Sequence, residues 1–271
     1  MTAPQIAAAG RAVPSRLARA RDVLAFEWTK LRSVRSNYWT LLIAALVTLG
    51  VTAIVAQATA SAPPPPGGPM NPLTSSFLGY GEYTVLPVTV LSVLTFTSEY
   101  ASGLIRTTLT AVPQRRAVLA AKAAVTGTAA LTAGELLAFA CFLLTQAILS
   151  GHHHGLALSH PGALRAVLAA GVVLAACAVA GVGAGAVIRH TAGAIAAAVT
   201  MIYLLAVLCL VLPHPWNVRL GRFTLPVAAY QLVTVHPRPG LLPPGLSLLV
   251  LAGWPAAALL AAALVITRRD A

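Results

Sequence analysis

The sequence contains very little charge. Only 9% of its 271 residues are Asp, Glu, Lys or Arg, whereas a soluble globular chain has about 25%. Hydrophobic residues make up 58% of the chain, which indicates that lipid surrounds most of it. This composition excludes an ordinary soluble domain.

Acidic residues are especially scarce, with 6 Asp and Glu against 18 Lys and Arg and a formal net charge of +12. In a soluble protein this excess would indicate nucleic-acid binding. Here the basic residues lie mostly between long apolar runs, which is typical of a topology signal facing an anionic leaflet. We therefore predict membrane lipid, and no nucleic acid, as a partner.

Lysine is the scarcest cation, since the chain contains only Lys30 and Lys122. A phosphate-binding loop needs a lysine followed by Ser or Thr after a glycine-rich turn. Leu31 and Ala123 follow the two lysines, so this chain has no such loop. We predict that it binds no cofactor and that any driving ATP hydrolysis occurs in another chain.

Residues that could bind a metal are few and scattered. The three cysteines lie far apart inside apolar runs and are interpreted as buried apolar residues. The outer loop at 151–161 contains three consecutive histidines without a nearby carboxylate or cysteine, which makes it a weak metal candidate. These histidines are His152, His153 and His154, and we predict no metal site.

Six segments are long and apolar enough to cross the roughly 30 Å hydrocarbon core, which requires about 20 residues each. Their approximate bounds are 38–59, 78–97, 117–149, 164–188, 192–212 and 246–267. The sequence thus predicts an all-α integral membrane protein with six transmembrane helices. We expect a disordered tail at 1–15 and short interfacial or re-entrant helices within 213–245.

The basic residues predict the orientation of the bundle. With the N-terminus inside, 14 of the 18 basic residues face the cytoplasm, and only Arg165, Arg219, Arg222 and Arg238 lie outside. The positive-inside rule therefore favours N-in and C-in. We expect a multi-pass protein of the bacterial plasma membrane.

Residues 16–37 have the pattern of a basic amphipathic helix. Apolar residues recur at helical spacing, and basic residues occupy the other positions. The apolar positions are Leu17, Leu24, Trp28 and Leu31, and the basic ones include Lys30 and Arg32. We expect an interfacial helix; the alternative is a plain basic juxtamembrane tail.

The inner loop between the second and third spans, Glu99 to Arg116, can form a short surface helix. Gly103 permits a turn before it, Pro113 interrupts the chain after it, and Arg115 and Arg116 begin the third span. Such a helix could dock a cytoplasmic partner. The alternative is an ordinary charged loop that obeys the positive-inside rule.

Two stretches resemble permeases of the ABC-2 class of ABC transporters. They are EWTKLRS at 27–33, directly before the first span, and EYASGLIRTTL at 99–109, with Pro113, Arg115 and Arg116 after it. The six-span plan of that class covers 38–271 here. The resemblance implies an exporter permease that pairs with a second copy or a related chain. It also implies a separate ATPase subunit that binds ATP and Mg.

In that class the loop after the second span carries the coupling helix that contacts the ATPase. The resemblance assigns this role to seven residues. They are Glu99, Gly103, Leu104, Arg106, Pro113, Arg115 and Arg116.

Glu135, near the middle of the third span, is costly to expose to lipid. It is either a pathway residue that contacts substrate or protons, or a packing carboxyl bonded to neighbours such as Thr132 or Gln146. A secondary carrier is an alternative function, but the chain shows one buried carboxyl and no repeat. An intramembrane enzyme is disfavoured because no catalytic pair lies at a common depth.

Overall fold

A computed structural model describes residues 16–61, 72–112, 114–151, 155–234, 238 and 240–268. Within these ranges all regular structure is helical. The helices are α1 (Arg16–Ser33), α2 (Arg35–Ser61), α3 (Pro72–Tyr83), α4 (Val85–Ser102), α5 (Leu104–Ala111), α6 (Arg115–Ser150), α7 (Ala163–Ile188), α8 (Thr191–Val199), a π-helical turn (Thr200–Leu204), α9 (Leu205–Val211), α10 (Trp216–Gly221), α11 (Leu225–Val233) and α12 (Pro244–Arg268). The predicted tail at 1–15, Pro113 and His152 to His154 lie outside the described residues.

Six helical segments in the described chain are long and apolar enough to span a membrane, which confirms the predicted number. They are Arg35–Ser61, Gly79–Ser102, Arg115–Ser150, Ala163–Ile188, Thr191–Val211 and Pro244–Arg268. Most begin or end a few residues beyond the apolar runs. The backbone bonds of a helix extend into the polar flanks, where hydropathy gives no signal.

The predicted interfacial helix is shorter than expected. α1 ends at Ser33, Val34 lies outside both helices, and α2 begins at Arg35. The Asn37 side chain donates a hydrogen bond to the Leu31 carbonyl at 3.3 Å, which stabilises this corner. Leu24 and Trp28 are exposed, as suits an apolar face turned toward lipid.

The second span contains a junction at Thr84, between α3 and α4. The Thr84 hydroxyl shares a buried hydrogen bond of 2.8 Å with the hydroxyl of Thr48 on α2. Because α4 begins directly after this junction, Pro87 lies in the first turn of α4, where its missing N–H costs little.

α7 is the central helix of the bundle and packs against α4, α6, α11 and α12. Its glycines permit this close packing, as expected from small residues at helix interfaces. A Cβ at Gly181 or Gly185 would lie 2.9 or 2.7 Å from the α4 carbonyl oxygens of Thr89 or Val93. A Cβ at Gly183 would lie 2.7 Å from Ala258 on α12.

The segment before the last span contains two short helices, α10 and α11. α11 packs on α7 and α12. Its Gln231 is buried and donates to the Leu242 carbonyl at 3.0 Å, while its oxygen accepts from the Arg238 amide at 3.0 Å. These bonds hold the turn that leads into α12.

Candidate functional site

Four charged side chains from three helices meet at the end of the bundle that carries α1 and α5. Lys122 on α6 donates to Glu27 Oε2 on α1 at 2.7 Å and also to Glu99 Oε1 on α4. Lys30 on α1 donates to the same Glu99 oxygen. We call Glu27, Lys30, Glu99 and Lys122 the charge cluster.

The charge cluster is almost completely enclosed. The side chains of Glu99 and Lys122 are 1% exposed and that of Glu27 is 5% exposed, whereas Lys30 is 30% exposed. Two carboxylates and two ammonium groups give no net charge, which limits the cost of removing them from water. The Lys122 ammonium also lies 5.4 Å from the centre of the Phe96 ring, a cation–π contact.

Helical spacing places each member of the charge cluster. Glu27 and Lys30 are three residues apart, so they project from one face of α1 toward the bundle. Glu99 lies in the last turn of α4, and Lys122 lies two turns into α6. The cluster therefore joins α1 to both helices that flank α5.

The sequence predictions divided these residues between different roles. Glu99 was assigned to coupling, Lys30 to the interfacial helix, and Glu27 and Lys122 to no site. The structure brings all four together. Lys122 was detectable as a lysine within the apolar run 117–125, because a cation at that depth needs a partner.

α5 is the short surface helix expected in the loop after the second span. It follows Gly103, whose φ of +73° lies in the left-handed region that favours glycine. Ile105 is 4% exposed and packs beside Phe96 and Leu119, which anchors α5 to the bundle. Leu104 is 52% exposed, and Arg106 is also exposed.

Two arginines fix the ends of neighbouring spans beside α5. Arg115, at the start of α6, donates to the Ile266 carbonyl of α12 at 3.0 Å. Arg189, just after α7, stacks on Tyr100 of α4 at 5.0 Å from the ring centre. Arg116 is exposed. The cluster end of the bundle is thus tied together across α4, α6, α7 and α12.

Glu135 lies apart from the charge cluster, against Gly171 of α7. A Cβ on Gly171 would meet the Glu135 carboxyl group in its present position, so the glycine makes room for this side chain. Its Oε2 is buried and has no hydrogen-bond partner among the described residues. Thr132 instead donates to its own helix, and Gln146 accepts from the Leu156 amide.

The described residues contain no group of three His, Cys, Asp or Glu side chains close enough to hold a metal ion. The candidate His152 to His154 cluster is not among them. Cys141, Cys177 and Cys209 are separate, buried and reduced.

A family model described as ABC-2 family transporter protein matches residues 23–211, well over half of the chain. The chain belongs to the ABC-2 transporter family. The matched region of this ABC-2 protein contains the whole charge cluster, α5 and the first five spans. A comparison with curated proteins gives no match.

Membership of the ABC-2 family, together with six apolar helices, identifies a multi-pass membrane permease component of an ABC transporter. The charge cluster and α5 therefore lie in a transport subunit.

Proposed function

We propose that this ABC-2 protein is the permease half of an ATP-driven exporter in the bacterial plasma membrane, oriented N-in and C-in. Two copies, or one copy and a related chain, form the pathway. A separate ATPase subunit, which binds ATP and Mg, docks on α5. The observation that carries this proposal is that α5 is anchored to the bundle on one face and exposed on the other.

The two faces of α5 support a docking role. Ile105 and Thr108 are buried toward the bundle, while Leu104 and Arg106 are exposed. Leu104 and Arg106 are two residues apart and so lie on either side of the buried Ile105, and arginine is enriched in protein interfaces. Force applied to this surface reaches the bundle directly, because α5 is continuous with α4 through Gly103.

Five of the seven residues assigned to coupling divide into three groups. Leu104 and Arg106 are on the surface, so we assign them the contact with the ATPase. Glu99 is buried against Lys30 and Lys122, so we assign it a positioning role that holds α4 while α5 is displaced. Arg115 and Arg116 mark the start of α6, with Arg115 attached to α12.

The exposed apolar faces of α2 and of the fifth span are where we place the second copy. Leu42, Ile43 and Leu46 of α2 and Val207 and Leu208 of α9 are all exposed in the single chain. Both elements pack beside α4. A dimer through them would put α4 next to the pathway and α5 beneath it.

Substitution Arg106→Glu tests the docking role. We expect this charge reversal to reduce recovery of the co-purifying ATP-binding subunit from mild detergent at least tenfold. Insertion and folding should persist, because the side chain is exposed. The matched control is Arg21→Glu, an exposed arginine on α1, which should retain the subunit.

Equal recovery with both variants would show that α5 is not the docking surface. If no ATP-binding chain accompanies the wild-type protein, the exporter proposal fails. Transport that follows an ion gradient instead would indicate a secondary carrier.

A further inference from the structure

A groove opens beside the charge cluster, between the α1–α2 corner and the helices α4 and α6. It has a cavity volume of about 280 Å³. Glu27, Lys30 and Lys122 lie at one end, and Leu91, Leu94 and Val125 form much of the apolar wall. The groove is therefore amphipathic along its length.

The groove continues along the same two helices into a smaller cavity of about 60 Å³. Leu91, Thr95 and Thr126 line both cavities. On α4 the lining extends from Val88 to Ser98, a separation of ten residues that corresponds to about 15 Å of helix. This is half of the roughly 30 Å hydrocarbon core, so the groove has the length of one leaflet.

The polar end of the groove contains an unpartnered acceptor. Glu27 is 5% exposed, and its Oε1 has no hydrogen-bond partner among the described residues, although its Oε2 accepts from Lys122. A buried carboxylate oxygen without a donor is unfavourable, because it has lost its hydrogen bonds to water. The site therefore favours a ligand that brings an N–H donor.

Lys30 supplies the complementary charge at the same end. Its ammonium has three donors, and one of them is directed at Glu99. The side chain is 30% exposed, so its ammonium can also contact an anion in the groove. Since the charge cluster carries no net charge, a ligand with one positive and one negative group fits it without leaving an excess charge.

We propose that the groove binds a zwitterionic phospholipid whose headgroup ends in a primary ammonium, that is, a phosphatidylethanolamine from the surrounding bilayer. The Glu27 carboxyl turns toward the groove so that the ammonium donates to its Oε1, the phosphate accepts from Lys30, and one acyl chain lies between α4 and α6. In the N-in orientation this lipid belongs to the inner leaflet. The bound lipid gives Glu27, which joins α1 to Lys122 of α6, the donor that its Oε1 lacks.

Native mass spectrometry of the delipidated full chain tests this site. Phosphatidylethanolamine and phosphatidylcholine with identical acyl chains are added separately, because the choline headgroup keeps the phosphate and positive charge but has no N–H donor. We expect at least tenfold preferential retention of phosphatidylethanolamine. Glu27→Gln should reduce that preference to about twofold or less.

A second variant keeps the test valid if Glu27→Gln does not fold. Thr95→Trp fills the middle of the groove and should remove lipid retention. The matched control is Thr128→Trp, because Thr128 is exposed on α6 and, like Thr95, donates to its own helix at 2.7 Å. This control should retain the lipid.

Three results would overturn the proposal. Equal retention of the two lipids by the wild-type protein would show that the headgroup is not recognised. Retention unchanged by Thr95→Trp would place the lipid elsewhere. Efficient disulfide crosslinking of two copies through Thr95→Cys would show that a second copy of the chain covers the groove.

Discussion

Lys122 is a cation that is almost completely enclosed by the bundle. Its ammonium is 1% exposed and is surrounded by Glu27, Glu99 and the Phe96 ring. The attraction to two carboxylates compensates for the loss of water around it. If this one cation were removed, two carboxylates would remain buried with only Lys30 beside them.

Substitution Lys122→Met tests this balance. We expect the free energy of unfolding in mild detergent to fall by about 3–5 kcal/mol, the usual effect of breaking a buried ion pair. Lys30→Met should cost clearly less, because Lys30 is partly exposed and its ion pair among the described residues is with Glu99 alone. Denaturant titration of both variants in the same detergent measures the difference.

Restoring charge balance is the control for this prediction. The double variant Lys122→Met with Glu27→Gln should recover part of the lost stability, because Lys122 is the cation paired with Glu27 in the described residues, whereas Glu99 keeps Lys30. Equal losses for Lys122→Met and Lys30→Met would show that the enclosed ion pairs do not determine the stability of this end of the bundle.

The sequence shows where these charged residues lie along the chain, but it does not show which of them pair with each other. The scarcity of lysine and the depth of Lys122 indicate that it needs a counterion. Glu27 and Glu99, however, are 95 and 23 residues away along the chain. Such contacts depend on how α1, α4 and α6 pack, and one sequence contains no direct signal for that packing.

At the scale of helices, the close packing of α7 depends on glycines, which have no side chain. Gly181 and Gly185 bring it against the backbone of α4, and Gly183 brings it against α12. A carbonyl oxygen cannot move aside as the end of a flexible side chain can. The packing of the central helix is therefore sensitive to a single methyl group.

Substitution Gly185→Ala should destabilise the protein by about 1–3 kcal/mol, the usual cost of overpacking. Its Cβ would lie 2.7 Å from the Val93 oxygen. Gly253→Ala in α12 is the control, since no atom lies within 4 Å of its Cβ position. This control should be neutral or stabilising by up to about 1 kcal/mol through helix propensity.

The unfolding midpoints of the two alanine variants, measured in the same detergent, test whether the close packing of α7 against α4 limits stability. If both variants shift in the same direction by the same amount, the close approach of α7 and α4 does not limit stability.

Helices were the most predictable part of the fold. Apolar length alone predicted six spans, and Gly103 predicted the break before α5. The corner at Val34 and the junction at Thr84 were not predictable in the same way. They depend on the Asn37–Leu31 hydrogen bond and on the hydroxyl pair of Thr48 and Thr84, which form only after the helices meet.

At the scale of the whole molecule, the distribution of basic residues predicts which ends face the cytoplasm. Single cysteine substitutions of Ser102 and Ser159 would report which side of the membrane each residue faces, because both residues are exposed. The native cysteines Cys141, Cys177 and Cys209 are buried, so they should contribute little background labelling.

We expect a membrane-impermeant maleimide to label Ser159→Cys on intact spheroplasts. Ser102→Cys should react at least tenfold less until the membrane is permeabilised. The reverse pattern would invert the orientation and would place α5 on the side without ATP. Labelling of both sites before permeabilisation would indicate leaky spheroplasts, which a periplasmic and a cytoplasmic marker protein would reveal.

The charge cluster also concentrates the amine reactivity of the protein in one place. Apart from the amino terminus, its two lysines are the only aliphatic amines in the sequence. Lys122 is enclosed, and Lys30 is accessible only in part. A separation of α1 from α4 and α6 would expose both amines to an acylating reagent. Mass spectrometry of lysine acylation during turnover would therefore report the separation of α1 from the bundle. The assay would use the native lysines and would need no engineered residue.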